Sequence, residues 1–138
     1  MMFWTVLILA AIAGFGFIRF APTDVARWHK PIGDAENTNG AGWSARVIPA
    51  SSDLLSDLHQ GMLALERTEL VAGSVTDGRL TYITRSKLVG FPDYTTIEQE
   101  GDQIKLYARL RFGRSDLGVN GKRLDGLIEN VRGKRTKG

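Results

Sequence analysis

The chain has 138 residues, 43% hydrophobic and 24% charged, with sixteen Gly, four Pro, no Cys and a formal net charge of +3. That composition suits one compact domain, and it excludes both two separate globular domains and a disordered or collagen-like chain. Without cysteine there is no disulfide framework, thiolate nucleophile, cysteine-bound zinc or lipidated cysteine, so a packed core must hold the fold, and the redox compartment stays open.

From Met1 to Ile18 the only polar side chain is Thr5. About 18 residues at roughly 1.5 Å each give about 27 Å of helix, close to the hydrocarbon thickness of a bilayer. Residues 1–20 are therefore expected to form a single transmembrane anchor, with Trp4 near one interface and Arg19 snorkelling at the other. A cleaved signal peptide is the rival, but it calls for basic residues before the apolar run and a small-x-small cleavage site. No Lys or Arg precedes the span, whereas Arg19, Arg27 and Lys30 follow it, so the charge rule by itself favours a cytoplasmic C-terminus.

Residues 21–42 contain Pro22, Pro31, Gly33, Gly40 and the polar run Asp34 to Asn39 without an apolar period, which predicts a tether. The domain proper is expected over 43–133. Trp43 to Pro49 reads as a strand. Leu54, Leu58, Met62 and Leu65 then recur at helical spacing, predicting a helix from about Asp53 to Glu66. Asp77-Gly78 predicts a two-residue hairpin turn, placing Val75 opposite Leu80 and Val71 opposite Thr84. A second turn at Gly101-Asp102 sets Ile97 against Leu106, Glu98 against Lys105, Thr96 against Tyr107 and Tyr94 against Arg109. In that last strand Ile104, Leu106, Ala108, Leu110 and Phe112 alternate with Lys105, Tyr107, Arg109 and Arg111, predicting one core face and one solvated basic face. Asn120 is the expected N-cap of a final helix, with Val119 and Leu124 as a hydrophobic staple, Leu124, Leu127, Ile128 and Val131 as its stripe, Gly133 as its end, and 134–138 as a basic tail. The predicted fold is α+β: a transmembrane helix, then a mostly antiparallel sheet of about five strands with two helices on one face.

Two segments carry a family resemblance: Tyr82-Ile83-Thr84-Arg85-Ser86-Lys87-Leu88-Val89-Gly90-Phe91-Pro92-Asp93, and Gly113-Arg114-Ser115-Asp116-Leu117-Gly118-Val119-Asn120-Gly121-Lys122-Arg123. They resemble the domain-of-unknown-function family 1499, over roughly Trp43 to Val131. The resemblance implies a small envelope-associated or lumenal domain behind a signal or anchor, with no established activity. It also implies an early Pro-Asn-Cys-Val segment, where this chain has Asn39-Gly40-Ala41-Gly42, so any role for that thiol is absent here. That setting opposes the charge rule and places the domain on the periplasmic side of the cytoplasmic membrane.

Arg114, Ser115, Asp116, Asn120 and Arg123 can hold a small anion at a helix N-terminus. The same residues are also explained by turn and cap chemistry, with Asp116 pairing with Arg114 or Arg123, and this structural reading is preferred. Tyr107 and Arg109 on the basic strand face are candidates for contact with a partner protein or anionic lipid; the alternative is a solvated face with Glu98 paired to Lys105, and no nucleic acid is expected. Arg85 with Phe91 can line a cleft, or Gly90 to Asp93 is simply a bend. Nine basic and three acidic residues between Arg109 and Lys137 make the C-terminal part strongly basic. His29 and His59 lack ligand-spaced partners, and no nucleophile elbow or glycine-rich phosphate loop occurs, so no catalytic residue, metal or cofactor is assigned. The leading expectation is a non-enzymatic, membrane-anchored accessory domain that binds a partner protein or anionic headgroup through its basic C-terminal region. The alternative is a small-ligand receptor or enzyme built on the Arg114 to Arg123 motif.

Overall fold

The structure, a computed structural model, describes the backbone of residues 1–137 and the side chains of residues 1–136. Helix α1 (Met2–Phe20) contains no buried residue, and it alone among the described residues is long and apolar enough to cross a membrane; a signal sequence has the same composition. After it come a one-turn helix α2 (Val25–Trp28), strands β1 (Thr38–Asn39) and β2 (Trp43–Pro49), helix α3 (Leu54–Leu63), strands β3 (Thr68–Ser74), β4 (Arg79–Arg85), β5 (Pro92–Glu100) and β6 (Gln103–Leu110), and helix α4 (Val119–Lys137). The six strands form one antiparallel sheet in the order β1-β2-β6-β5-β4-β3.

The period-two pattern of β6 sorts its residues between two faces. Ile104, Leu106 and Ala108 join Leu80, Tyr82 and Ile97 under α3 and α4, which contribute Leu58, Met62, Leu124, Leu127 and Val131 to the main core. The helices approach closely at Gly61, where an added Cβ would lie 2.7 Å from Leu127 Cδ1. The predicted pairing of β5 with β6 holds throughout, from Tyr94 opposite Arg109 to Glu98 opposite Lys105.

The first hairpin differs from expectation. Gly73, not Val75, lies opposite Leu80, Thr68 lies opposite Thr84, and the register shifts at Val71. Residues 75–78 form a four-residue loop because Ser74 Oγ accepts from the Asp77 amide at 3.0 Å and the Gly78 amide donates to the Val75 carbonyl at 3.0 Å. Gly78, at φ 77°, supplies the left-handed conformation that closes this longer loop.

Three further expectations are corrected. Helix α3 stops at Leu63, earlier than Glu66, and the chain turns into β3 through Arg67 at φ 54°. Gly133 does not end α4, which continues to Lys137, so most of the predicted tail is helical; the Lys137 side chain and Gly138 lie outside the described residues. The segment read as a tether is built into the fold, since Ala21 and Trp28 are buried and β1 pairs with β2. A single aromatic ring with a hydrogen-bonded strap around it leaves no periodic signal in sequence.

Candidate functional site

The basic face of β6 is not solvated. Residues 22–36 cross it as a strap pinned by Trp28, whose ring stacks on Tyr94 at a centroid distance of 4.2 Å and an interplanar angle of 14°. Trp28, Ile83 and Tyr94 form a second, smaller core with Val71 against it. The ends of the strap are tied by hydrogen bonds. Thr23 Oγ1 pairs with Tyr94 Oη at 2.7 Å, His29 Nδ1 with Thr81 Oγ1 at 2.8 Å, and the Ile32 amide donates to Glu98 at 3.4 Å. Burial, with Arg79 nearby, holds the His29 imidazole below the usual histidine range.

Beneath the strap Arg109 is only 8% exposed. Its guanidinium donates to Thr96 Oγ1 at 2.9 Å, to the Tyr107 carbonyl at 3.2 Å and to the Trp28 carbonyl, and lies 5.2 Å from the Trp28 ring centroid and 4.9 Å from that of Tyr107. Among the described residues no carboxylate pairs with it. Burial pulls its pKa down to about 10, with Tyr107 and Tyr94 opposing, so the group is still a cation at neutral pH. Glu98 and Lys105 are register partners, but the expected ion pair between them is replaced: Glu98 binds Arg79 at 2.6 Å and Lys105 binds Glu100 at 2.9 Å.

Between the strap and β2–β6 lies an open cleft of about 910 Å³. Trp28, Trp43, Tyr107, Lys30, Lys105 and Arg109 are among its lining residues, with Asp34 and Glu36 on the strap side. The Trp43 and Tyr107 rings are 6.1 Å apart. Aromatic rings of Trp28, Trp43 and Tyr107 beside the buried Arg109 and the cations Lys30 and Lys105 fit an anionic group carried on a flat body.

The Arg114 to Arg123 motif builds a junction. Asp116, not Asn120, caps α4: its carboxylate accepts from the Gly118 amide at 2.9 Å and the Asn120 amide at 3.2 Å, while Ser115 Oγ accepts from the Leu117 amide at 3.2 Å. Asp116 therefore pairs with backbone, not with Arg114 or Arg123. Asn120 lies one residue inside the helix, fully buried, with Oδ1 accepting from Arg123 and Nδ2 without a partner. Val119, 47% exposed, makes no staple. Arg123 reaches Asp93 at 3.5 Å, and burial holds the Asp93 carboxyl above the usual range against the pull of Arg123. Arg114 is exposed, and Arg85 donates to the Gly90 carbonyl at 3.1 Å, stitching the bend at 86–91.

The eight candidate residues thus fall into separate places. Tyr107 and Arg109 share the cleft, Asn120 and Arg123 sit in the first turns of α4 with their side chains joined, Arg114, Ser115 and Asp116 shape its approach, and Arg85 holds a turn. Sequence spacing does not mark Trp28, Lys30 or Trp43 as site residues: the one signal for the first two is a tryptophan set between Arg27 and Lys30 in a largely polar segment, and Trp43 carries only the strand pattern. No group of three or more His, Asp and Glu side chains is placed to hold a metal among the described residues.

The basic C-terminal cluster lies at the far end of the domain. Arg135 pairs with Asp57 and reaches Ser51 and Ser52, next to Ala50, whose amide donates to Asp102 at the tip of the second hairpin. A groove of about 590 Å³ between α3 and α4 opens there, lined by Leu65, Leu127, Lys134 and Arg135 among others.

No curated protein matches the chain. A family model described as "Protein of unknown function (DUF1499)" matches residues 34–131, more than half of the chain, and begins inside the strap. The chain therefore belongs to the DUF1499 family.

Proposed function

We propose that this protein is a single-pass, membrane-anchored binding domain that holds a small anionic ligand in the cleft between the strap and β2–β6. One observation carries the reading: Arg109 is a buried cation that pairs with no carboxylate among the described residues, and it lines an open cleft walled by Trp28, Trp43 and Tyr107. A desolvated charge without a counter-ion is costly to the fold, and an anion entering the cleft offsets that cost. On this reading α1 is the retained anchor in the cytoplasmic membrane and the domain lies on the periplasmic side, the setting that the family resemblance implies.

A second reading, an acidic partner protein at the C-terminal end of α4, is favoured by the exposed Arg132 and Lys134 beside the smaller groove. An anionic headgroup of the anchoring membrane fits that end poorly, because it lies opposite the end of the sheet that α1 approaches.

Two of the three tryptophans line the cleft, so their emission reports its occupancy. The full chain in detergent micelles, titrated with phenyl phosphate and with benzoate, is expected to show a saturable change that benzyl alcohol does not produce. Arg109→Met should abolish the response while the far-UV circular dichroism spectrum stays that of the parent; the variant no longer carries a desolvated charge, but the Trp28 carbonyl loses a donor, so the melting temperature is measured alongside. An unchanged response in that variant, or none to either anion in the parent, overturns the proposal.

A further inference from the structure

The two ends of the sheet carry different turns. The far tips are mostly polar: Thr76, Asp77 and Gly78 accompany a single part-exposed Val75, at 37%, in one hairpin, and Gly101 and Asp102 form the other. At the opposite end, the bend 86–91 between β4 and β5 and the segment 111–118 after β6 present Leu88, Phe91 and Leu117, with relative exposures of 90%, 39% and 87%. Exposed Lys87 and Arg114 alternate with them. Leu117 also has φ 54°, a conformation that a large L side chain rarely adopts, so this backbone is strained while it displays an apolar side chain to solvent.

Helix α1 arrives at this same end and touches it through its last turn and a half. The Phe17 ring is 6.1 Å from that of Phe112, and the Pro22 carbonyl accepts from Arg111 at 3.1 Å. Arg19 lies against Gly90, where an added Cβ would come 2.6 Å from Nη1. Ala21 is buried, so no free linker separates the apolar helix from the domain. Of the carboxylates near this end, Asp93 is engaged with Arg123, Asp116 with the first amides of α4, Glu66 with Arg67 and the exposed Asp24 with the Ala26 amide, so the charges that alternate with Leu88, Phe91 and Leu117 are Lys87 and Arg114.

We propose that this end of the domain is seated in the lipid interface. Leu88, Phe91 and Leu117 enter the boundary between headgroups and acyl chains, and Arg19, Lys87 and Arg114 meet lipid phosphates. The inference rests on α1 being a retained anchor and is independent of the cleft. It fixes the orientation of the molecule: the sheet stands on its bend end, and the C-terminal cations point away from that membrane.

The absence of cysteine makes every introduced thiol unique. Leu88→Cys, Leu117→Cys, Asp77→Cys, Asp102→Cys and, within α1, Leu9→Cys in the full chain carry a nitroxide, and each is reconstituted in phosphatidylcholine–phosphatidylglycerol vesicles. Collision with oxygen relative to an aqueous nickel reagent then reports depth. The ratio at 88 and 117 is expected to exceed that at 77 and 102 by about tenfold and to approach that at 9. A lipid-phase label at 9 with aqueous values at 88 and 117 overturns the seating and leaves a protein partner as the occupant of this surface. An aqueous label at 9 overturns the anchor reading and the seating together.

Discussion

The two faces of the sheet are covered by different means. Toward α3 and α4 the contact is apolar and continuous, with Leu58, Met62, Leu80, Leu106 and Leu124 fully buried. Toward the strap one indole ring does most of the covering, and the rest is a polar chain in which Thr81 pairs with Thr96 at 2.9 Å and Thr96 accepts from Arg109 at 2.9 Å. The first face has the long amphipathic elements whose burial stabilises a domain of this size. The second leaves room for a cleft and tolerates a buried charge, which a fully packed face does not. Stability is concentrated on one side of the sheet, and the candidate chemistry on the other.

That division is open to test, and the largest effect is expected in the main core. Leu124→Ala removes a fully buried side chain between α4 and the sheet and should cost about 2–5 kcal/mol in a denaturant melt. Trp28→Ala removes a larger side chain yet should cost less, about 1–2 kcal/mol, because the strap can peel away while the sheet and helices stay folded. Its signature is faster hydrogen exchange and protease cleavage confined to residues 22–36. A global loss as large as that of Leu124→Ala would show that the strap belongs to the same cooperative unit and break the comparison.

The smallest effect concerns the rim of the helix face. The hydrogen bond from Arg46 holds the Asp125 carboxyl below the usual aspartate range, against a weaker opposing effect of burial. A lowered folded pKa contributes stability that is present above the unfolded value of 3.8 and is lost as pH falls through the folded one. Asp125→Asn should therefore lose about 0.2–1 kcal/mol at neutral pH, as expected for an exposed pair, and show a shallower loss of stability below pH 3.8. An identical acid profile in the variant would remove this pair from the account of that face.

The elements that were legible in the sequence are those whose signal is local. The alternation of Ile104 to Leu110 states which side chains share a face, and the tight turn at Gly101-Asp102 sets a register that one residue of slippage would invert. The stripes of Leu54 to Met62 and Leu124 to Val131 place both helices on the apolar side of that strand. The other hairpin departs from its sequence pattern at the turn. Asp77-Gly78 belongs to a four-residue loop held by Ser74, and Val71 is displaced from regular pairing on the side of the sheet that packs against Trp28.

By itself the sequence determined the class of fold, the apolar first helix, the β5–β6 register and the composition of the main core, because each follows from periodicity within a few residues or from one short turn. Only the tertiary structure decided that residues 22–36 form a strap, that Arg109 is buried beneath it and not solvated, and that Asp116 takes the capping role expected of Asn120. The physical reason is common to all three. Each depends on a partner distant in sequence: Trp28 stacks on Tyr94, Arg109 donates to the Trp28 carbonyl, and Arg123, which holds the Asn120 side chain inward, is itself drawn to Asp93 of β5.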